Sequence, residues 1–184
     1  LAELNINENA VLKKAKNASV YLPREYAWQK ASKCPETRPV IVGFGPAGMF
    51  AALFLARAGL NPIVFERGQD ADTRTADVNR FFAGGKLNAE SNVQFGEGGA
   101  GTFSDGKLNT GIKVFRCRAV LEEFCNHGAP QSILTDAKPH IGTDILVNVV
   151  KNIRKEIISL GGEVRFGTKL CDLRFKDGKL VSAL

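Results

Sequence analysis

Apolar runs and glycine-marked breaks alternate along the chain in an order that predicts an α/β fold. Residues 40–42, Val-Ile-Val, form a short apolar run closed by Gly43, the pattern of a strand buried in a parallel sheet. Residues 47–58 are apolar nearly all round, which predicts a helix packed on several sides. Gly59 and Asn61-Pro62 end that helix, and residues 63–66, Ile-Val-Phe-Glu, predict a second buried strand. Strand, helix and strand in direct succession make a βαβ unit.

Further along, a short helix is predicted around 72–82 and another over 119–126. A long amphipathic helix is predicted over 143–160, with Ile145, Leu146, Val149, Val150, Ile153, Ile157, Ile158 and Leu160 recurring at helical spacing. Gly161-Gly162 cap it, residues 163–166 predict a strand, and residues 170–184 predict a hairpin turning at Asp177-Gly178. Before Val40 the pattern is weak: a short helix over 9–18, then Pro23, Pro35 and Pro39 interrupting anything longer. Residues 1–37 therefore read as a linker or the remnant of an upstream domain, and residues 38–184 as one domain with a parallel sheet and a late β-hairpin.

A length of 184 residues, 44% of them hydrophobic and 24% charged, suits one globular domain and excludes disordered, collagen-like and coiled-coil classes. The net charge of +6 and isoelectric point of about 9.3 raise the question of an anionic partner. The basic residues are dispersed, without a run of five and without aromatic interleaving, so nucleic acid is not the expected partner and an anionic cofactor accounts for part of the excess. Cys34, Cys117, Cys125 and Cys171 are widely spaced with no C-x-x-C, which points to a reducing cytoplasm rather than a disulfide framework. Cys117, Cys125 and His127 lack a fourth ligand, so no metal is expected. The longest apolar run, 47–56, is too short to span a bilayer and is followed directly by Arg57, and the polar first twenty residues do not read as a signal peptide; no membrane association is expected. The sequence opens on Leu1 and stops at Leu184 inside a predicted strand, and reads as a piece of something longer.

Gly43-Phe-Gly45-Pro46-Ala47-Gly48 spells G-x-G-x-x-G, a weak signal alone. Here it follows a strand, opens a helix within a βαβ unit, and is answered by an acidic residue, Glu66, at the end of the second strand. Gly43 permits the tight turn, Gly45 leaves room for a pyrophosphate, and Gly48 lets the helix approach the strand. The helix N-terminus offers N–H groups and partial positive charge to phosphates, and Pro46 in the first turn removes no needed donor. Glu66 is placed to accept hydrogen bonds from an adenosine ribose, which disfavours NADP and leaves NAD or FAD. A unit binding NAD normally continues promptly into further βα units, whereas this chain departs after Glu66-Arg67-Gly68 into a long excursion. Within it lies FGEGGAGTFSDGKLNTG, residues 95–111, with six glycines.

Together, the βαβ unit, the Glu-Arg-Gly ending, this glycine-rich stretch and the late helix, strand and hairpin resemble the FAD-binding domain of glutathione-reductase-type flavoproteins. The blocks ESNVQFGEGGAGTFSDGKLNT, residues 90–110, and AKPHIGTD, residues 137–144, are similar to a more specific group, the bacterial FAD-dependent dehydrogenases or oxidoreductases. That resemblance covers residues 38–184. It implies that Gly43, Gly45, Pro46, Ala47 and Gly48 hold the pyrophosphate, and Glu66 with Arg67 the adenosine side. It implies that Gly98, Gly99, Ala100, Gly101 and Thr102 contact the pyrophosphate and flavin, and that the backbone near Leu170 meets the adenine. The C-terminal segment that closes over the flavin in such proteins is absent from this sequence, so the domain reads as incomplete there.

In flavoenzymes the cofactor carries the electron chemistry and the protein places and tunes it. No catalytic residue is singled out. Lys107 is a candidate positive charge near a reduced flavin, and Ser104, Asp105 and Asn109 are candidate hydrogen-bonding groups. His140 is a candidate acid or base, although a structural role before the next helix is the commoner one. Cys125 and Cys171 read as inert thiols. The expectation is an FAD-dependent oxidoreductase acting on a small molecule, with NAD(P)H a candidate electron donor. The alternatives are an NAD-binding dehydrogenase domain, a flavin-containing RNA-modifying protein, or a non-catalytic nucleotide-binding module.

Overall fold

The computed structural model describes residues 7–17, 19, 20, 22, 26–104, 106–108, 110, 112 and 114–184. In chain order the helices are α1 (Glu8–Leu12), α2 (Pro46–Arg57), α3 (Ala71–Phe82), α4 (Phe115–Asn126) and α5 (Thr143–Ser159). The strands are β1 (Val40–Val42), β2 (Ile63–Phe65), β3 (Glu163–Arg165), β4 (Leu173–Lys176) and β5 (Lys179–Ala183), and one-turn 3-10 helices lie at Ala100–Phe103 and Gln131–Leu134. Strands β1, β2 and β3 form a parallel sheet in that order, in register so that Ile41, Val64 and Val164 stand side by side.

Because side chains alternate along a strand, that row shares one face of the sheet. It packs into the main apolar cluster with Met49, Ala52, Leu53 and Ala56 of α2 and Leu146, Val149, Val150, Ile153 and Ile157 of α5. On the opposite face Val40 and Val42 of β1 remain 50% and 56% exposed. The helix expected over 47–58 is buried along one stripe, while Phe50 and Phe54 turn toward Tyr26, Trp28 and Phe124. The stretch before the sheet is thus partly docked: Trp28 lies edge-on to Phe54 at 4.1 Å, and Ala31 N–H donates to Ala58 O at 3.1 Å.

Helix α2 sits close on β1 because Gly48 has no side chain. A Cβ there would stand 1.9 Å from the Gly43 carbonyl oxygen. The late hairpin turns at Asp177 and Gly178, whose φ angles of 50° and 73° are both positive, as a two-residue type I′ turn requires. Two boundaries differ from expectation. The first helix ends at Leu12, since none of its residues is buried and only the Asn7 cap holds it. Helix α4 starts at Phe115, earlier than 119, without any side-chain cap to announce it in the sequence.

Polar contacts fix the helices to one another. Arg57 at the end of α2 donates to Glu123 Oε1 and Oε2 of α4 at 2.7 and 2.9 Å, and to Glu156 Oε1 of α5 at 2.6 Å. His127 adds a contact from its Nε2 to Glu156 Oε2 at 2.7 Å. Hydrogen bonding to Arg57 holds the Glu156 carboxyl below its ordinary value of 4.5. A depressed carboxyl stabilises the fold fully above its unfolded pKa, and that contribution is lost as the pH falls through the folded one. Between about pH 7 and about pH 3.5, the urea midpoint of Glu156→Gln should therefore fall less than that of the parent. Parallel acid profiles for the two proteins would show that Glu156 carries none of the linkage.

Candidate functional site

All three parallel strands end at one edge of the sheet, and the turns that follow them enclose a cavity of about 370 Å³. Its walls are Val42, Gly43 and Gly45 after β1, Phe65, Glu66 and Arg67 after β2, Thr168, Lys169 and Leu170 after β3, and Gln94, Phe95, Gly96 and Gly99 from the glycine-rich stretch. In open parallel sheets this carboxyl edge is where ligands bind. Gly43, with φ of +91°, makes the turn out of β1 that only a glycine adopts without strain. Helix α2 starts here with Gly45 as its N-cap, Pro46 at its first position and no acidic residue in its first turn, so its positive end is not neutralised by its own side chains.

Glu66 forms the buried floor of the cavity. Its Oε2 accepts the Phe44 N–H and its Oε1 accepts the Gly68 N–H, both at 2.7 Å. The carboxylate that the sequence assigns to a ribose therefore also locks together the turns after β1 and β2. Each oxygen keeps a second lone pair for a ligand. The Glu66 backbone extends the sheet as well: its carbonyl accepts the Thr168 N–H at 2.9 Å, which brings Lys169 and Leu170 to the cavity.

The glycine-rich stretch is folded onto the βαβ unit by backbone contact. Gly98 N–H donates to Phe44 O at 2.9 Å, and a Cβ on Gly99 would stand 3.2 Å from Gly45 Cα and 3.1 Å from Pro46 Cδ. A Cβ on Gly68 would stand 2.5 Å from Gly96 Cα. Its glycines thus serve approach to the protein's own backbone, and the two glycine loops meet at the cavity wall.

A buried arginine holds that stretch in place. Arg74 of α3 is wholly buried; its Nε donates to Asn92 O at 2.8 Å, and its two terminal nitrogens to Glu97 O at 2.6 Å and Val93 O at 2.8 Å. Its guanidinium also lies 4.6 Å from the centre of the Phe103 ring. Burial pulls its pKa down to about 10, still leaving it charged at neutral pH. Glu97, equally buried, accepts the Ala71 N–H at 2.7 Å at the start of α3. Its other oxygen lies 2.8 Å from Arg154 Nε of α5, an ion pair without the alignment of a hydrogen bond. Burial pushes the Glu97 carboxyl upward.

Of the residues singled out in the sequence, the cavity gathers Gly43, Gly45, Glu66, Arg67, Gly99 and Leu170. Pro46, Ala47 and Gly48 form the adjoining first turn of α2. Gly98 turns inward against Thr102 and Val150, and Ala100, Gly101 and Thr102 belong to the 3-10 turn beyond. Lys107 does not line the cavity; it pairs with His140 in an isolated antiparallel bridge, flanked by Ile141 N–H to Gly106 O at 2.8 Å and Leu108 N–H to Pro139 O at 3.0 Å. The blocks 90–110 and 137–144 are thereby joined. Ser104 Oγ donates to Gly101 O at 2.8 Å, while Asp105 and Asn109 lie outside the described residues. Cys117 and Cys125 point their sulfurs to the carbonyls of Ile112 and Pro130. Arg74, Glu97, Gln94, Phe95, Thr168 and Lys169 had escaped sequence reading. One signal was present: a charged residue between glycines in a close-packed stretch, Glu97, needs a partner.

Three known proteins or families are similar to this chain. Residues 38–101 match the family described as FAD binding domain. An uncharacterized protein of Clostridium beijerinckii is 62% identical over 147 residues, which cover 80% of this chain and 28% of that protein. The chain thus spans under a third of that relative's length. A crystal structure of Thermovibrio ammonificans THI4 aligns with 96% of this chain and 54% of its own, at 18% identity and a TM-score of 0.42. Among the described residues no helix is long and apolar enough to cross a membrane.

Arg74→Met keeps the bulk of the side chain but leaves three loop carbonyls without their donor. It should cost about 3 kcal/mol in chemical denaturation and open the 92–103 segment to protease. A variant within about 0.5 kcal/mol of the parent, with an unchanged digestion pattern, would show that the loop holds without Arg74.

Proposed function

From the premise that residues 38–101 carry an FAD-binding domain, we propose that this protein is an FAD-dependent oxidoreductase of the dehydrogenase type. The cavity at the strand ends takes the adenosine and pyrophosphate. The observation that carries this reading is the convergence of Gly43, Gly45, Glu66, Gly99 and Leu170 on one cavity, from four separate stretches of chain. A cavity of about 370 Å³ suits the adenosine half of a dinucleotide, and the stretch of its wall where Gly45 and Gly99 meet, main chain without side chains, suits a pyrophosphate lying against it.

FAD, when bound, supplies the electron-transfer chemistry. The chain's own residues bind and orient it. The first-turn N–H groups of α2 have no acceptor within the helix, and they face the pyrophosphate together with the helix's partial positive charge. The remaining lone pairs of Glu66 accept from the ribose hydroxyls, with Arg67 beside it, and the backbone at Leu170 meets the adenine edge. The segment from Gly98 to Thr102 leads toward the flavin, and Lys107, with His140 beside it, supplies positive charge on that side. The substrate is a small molecule, and NAD(P)H is the candidate electron donor.

The same cavity also fits the adenosine half of NAD, so the test must separate the two. The full-length gene product, purified and scanned before and after denaturation, should show a flavin spectrum released on unfolding. A colourless protein that takes up no added FAD would overturn the reading, and nicotinamide binding in its place would favour the NAD alternative. Gly45→Val should lower FAD affinity by at least about tenfold, since the branched side chain adds bulk to the cavity wall beside Gly99, where the pyrophosphate would lie. Undiminished FAD content in a folded variant would put the pyrophosphate elsewhere.

A further inference from the structure

Two cations and one carboxylate meet at the adenosine end of the cavity in an arrangement that the binding of FAD does not require. Arg67 and Lys169 both line the cavity, one after β2 and the other after β3. Glu90 reaches both from outside the wall: its Oε2 accepts from Arg67 Nε at 2.6 Å, and its Oε1 from Lys169 Nζ at 3.2 Å. The carboxylate is held in place locally, because Asn88 Oδ1 accepts the N–H groups of Glu90 and Ser91 at 3.1 and 3.3 Å. Arg67 is held from below by Phe95, its guanidinium carbon 4.1 Å from the ring centre. Hydrogen bonding to Arg67, and then to Lys169, holds the Glu90 carboxyl below its ordinary value, so it is ionised at neutral pH.

Charge decides what this rim accepts. An acidic group at the end of the second strand suits a free ribose 2′-hydroxyl, whereas a neighbouring arginine suits a 2′-phosphate. This cavity holds both, Glu66 on the floor and Arg67 with Lys169 on the rim. The four charged groups sum to zero with Glu90 present and to +1 without it. Resting on the reading of the cavity as the adenosine site, we propose that Glu90 is a specificity-determining residue: by occupying Arg67 and Lys169 it silences a latent 2′-phosphate site and keeps the cavity selective for dinucleotides whose ribose is unphosphorylated. Glu90 touches no ligand; it acts through the two cations. Such a device excludes NADP from a site meant for FAD.

The measurement is a ratio of dissociation constants, adenosine 2′,5′-bisphosphate against 5′-AMP, taken on the full-length gene product by calorimetry at low ionic strength. The parent should favour 5′-AMP, and Glu90→Gln should move the ratio at least fivefold toward the bisphosphate. Adding Lys169→Gln to that variant should reverse the gain. A folded Glu90→Gln variant whose ratio stays within twofold of the parent's overturns the inference. Should that variant fail to fold, Lys169→Gln alone reads the same balance: it must move the ratio at least threefold against the bisphosphate, and an unmoved ratio is equally fatal. A parent that binds neither 5′-AMP nor FAD overturns the cavity assignment itself, an outcome distinct from a parent that binds 5′-AMP but shows no shift on substitution.

Discussion

A guanidinium buried among three backbone carbonyls is the constraint on which the site depends. Residues 92–103 bring only Val93, Phe95, Ala100 and Phe103 as apolar side chains, and a glycine-rich segment loses more conformational freedom on ordering than any other. Arg74 offsets that loss with hydrogen bonds to Asn92, Val93 and Glu97, and by its stacking on Phe103 it holds both ends of the bend. Its own desolvation is tolerable because its neighbours are oriented dipoles and the Glu66 and Glu97 carboxylates lie close by. Glu97 in turn ties the segment to the start of α3 and to Arg154 on α5. Remove this pair of buried charges and the glycine stretch keeps only its backbone contacts with the βαβ unit.

The same stretch shows why a run of glycines need not mean a tether. Where Gly68 meets Gly96, and where Gly45 and Pro46 meet Gly99, two backbones touch at distances that a Cβ would forbid or strain. Close approach of this kind builds a rigid wall whose inner surface is main chain. A wall of that sort suits a phosphate, which wants N–H groups and tolerates no bulk. Preorganisation follows directly: the cradle is shaped by contacts within the protein, so binding need not meet the cost of ordering it.

How much of this could be read from the sequence depends on the range of the interactions. The βαβ unit was legible because its determinants are local: Gly43 and Gly48 answer to each other across one turn, and Asp177-Gly178 encodes its hairpin by itself. The cavity-lining glycines of the first loop and Glu66 were legible for the same reason. Arg74 was not, since an arginine in a polar helix reads as solvated until the segment it anchors is seen folded over it. The partner segment of Lys107 was not legible: the chain has left the cavity by then and pairs with the segment at His140, 33 residues on. Glu90, Arg67 and Lys169 meet across separations of 23 and 79 residues, beyond the reach of any local pattern.

These long-range pairs change how the acidic end of the second strand should be understood. Glu66 spends half of its hydrogen-bonding capacity on the Phe44 and Gly68 N–H groups, so it is first of all a structural clamp. Replacing it would release the turns after β1 and β2 along with any ribose contact, and a loss of binding in such a variant would not separate the two roles. The rim differs. Glu90 is exposed, belongs to no turn that shapes the cavity, and influences the site only through the charge of Arg67 and Lys169. If the cavity holds an adenosine as proposed, a fold that commits its strand-end carboxylate to holding itself together adjusts its preference for a 2′-hydroxyl or a 2′-phosphate from the outside. The ion pairs at the rim are where that adjustment is free to occur.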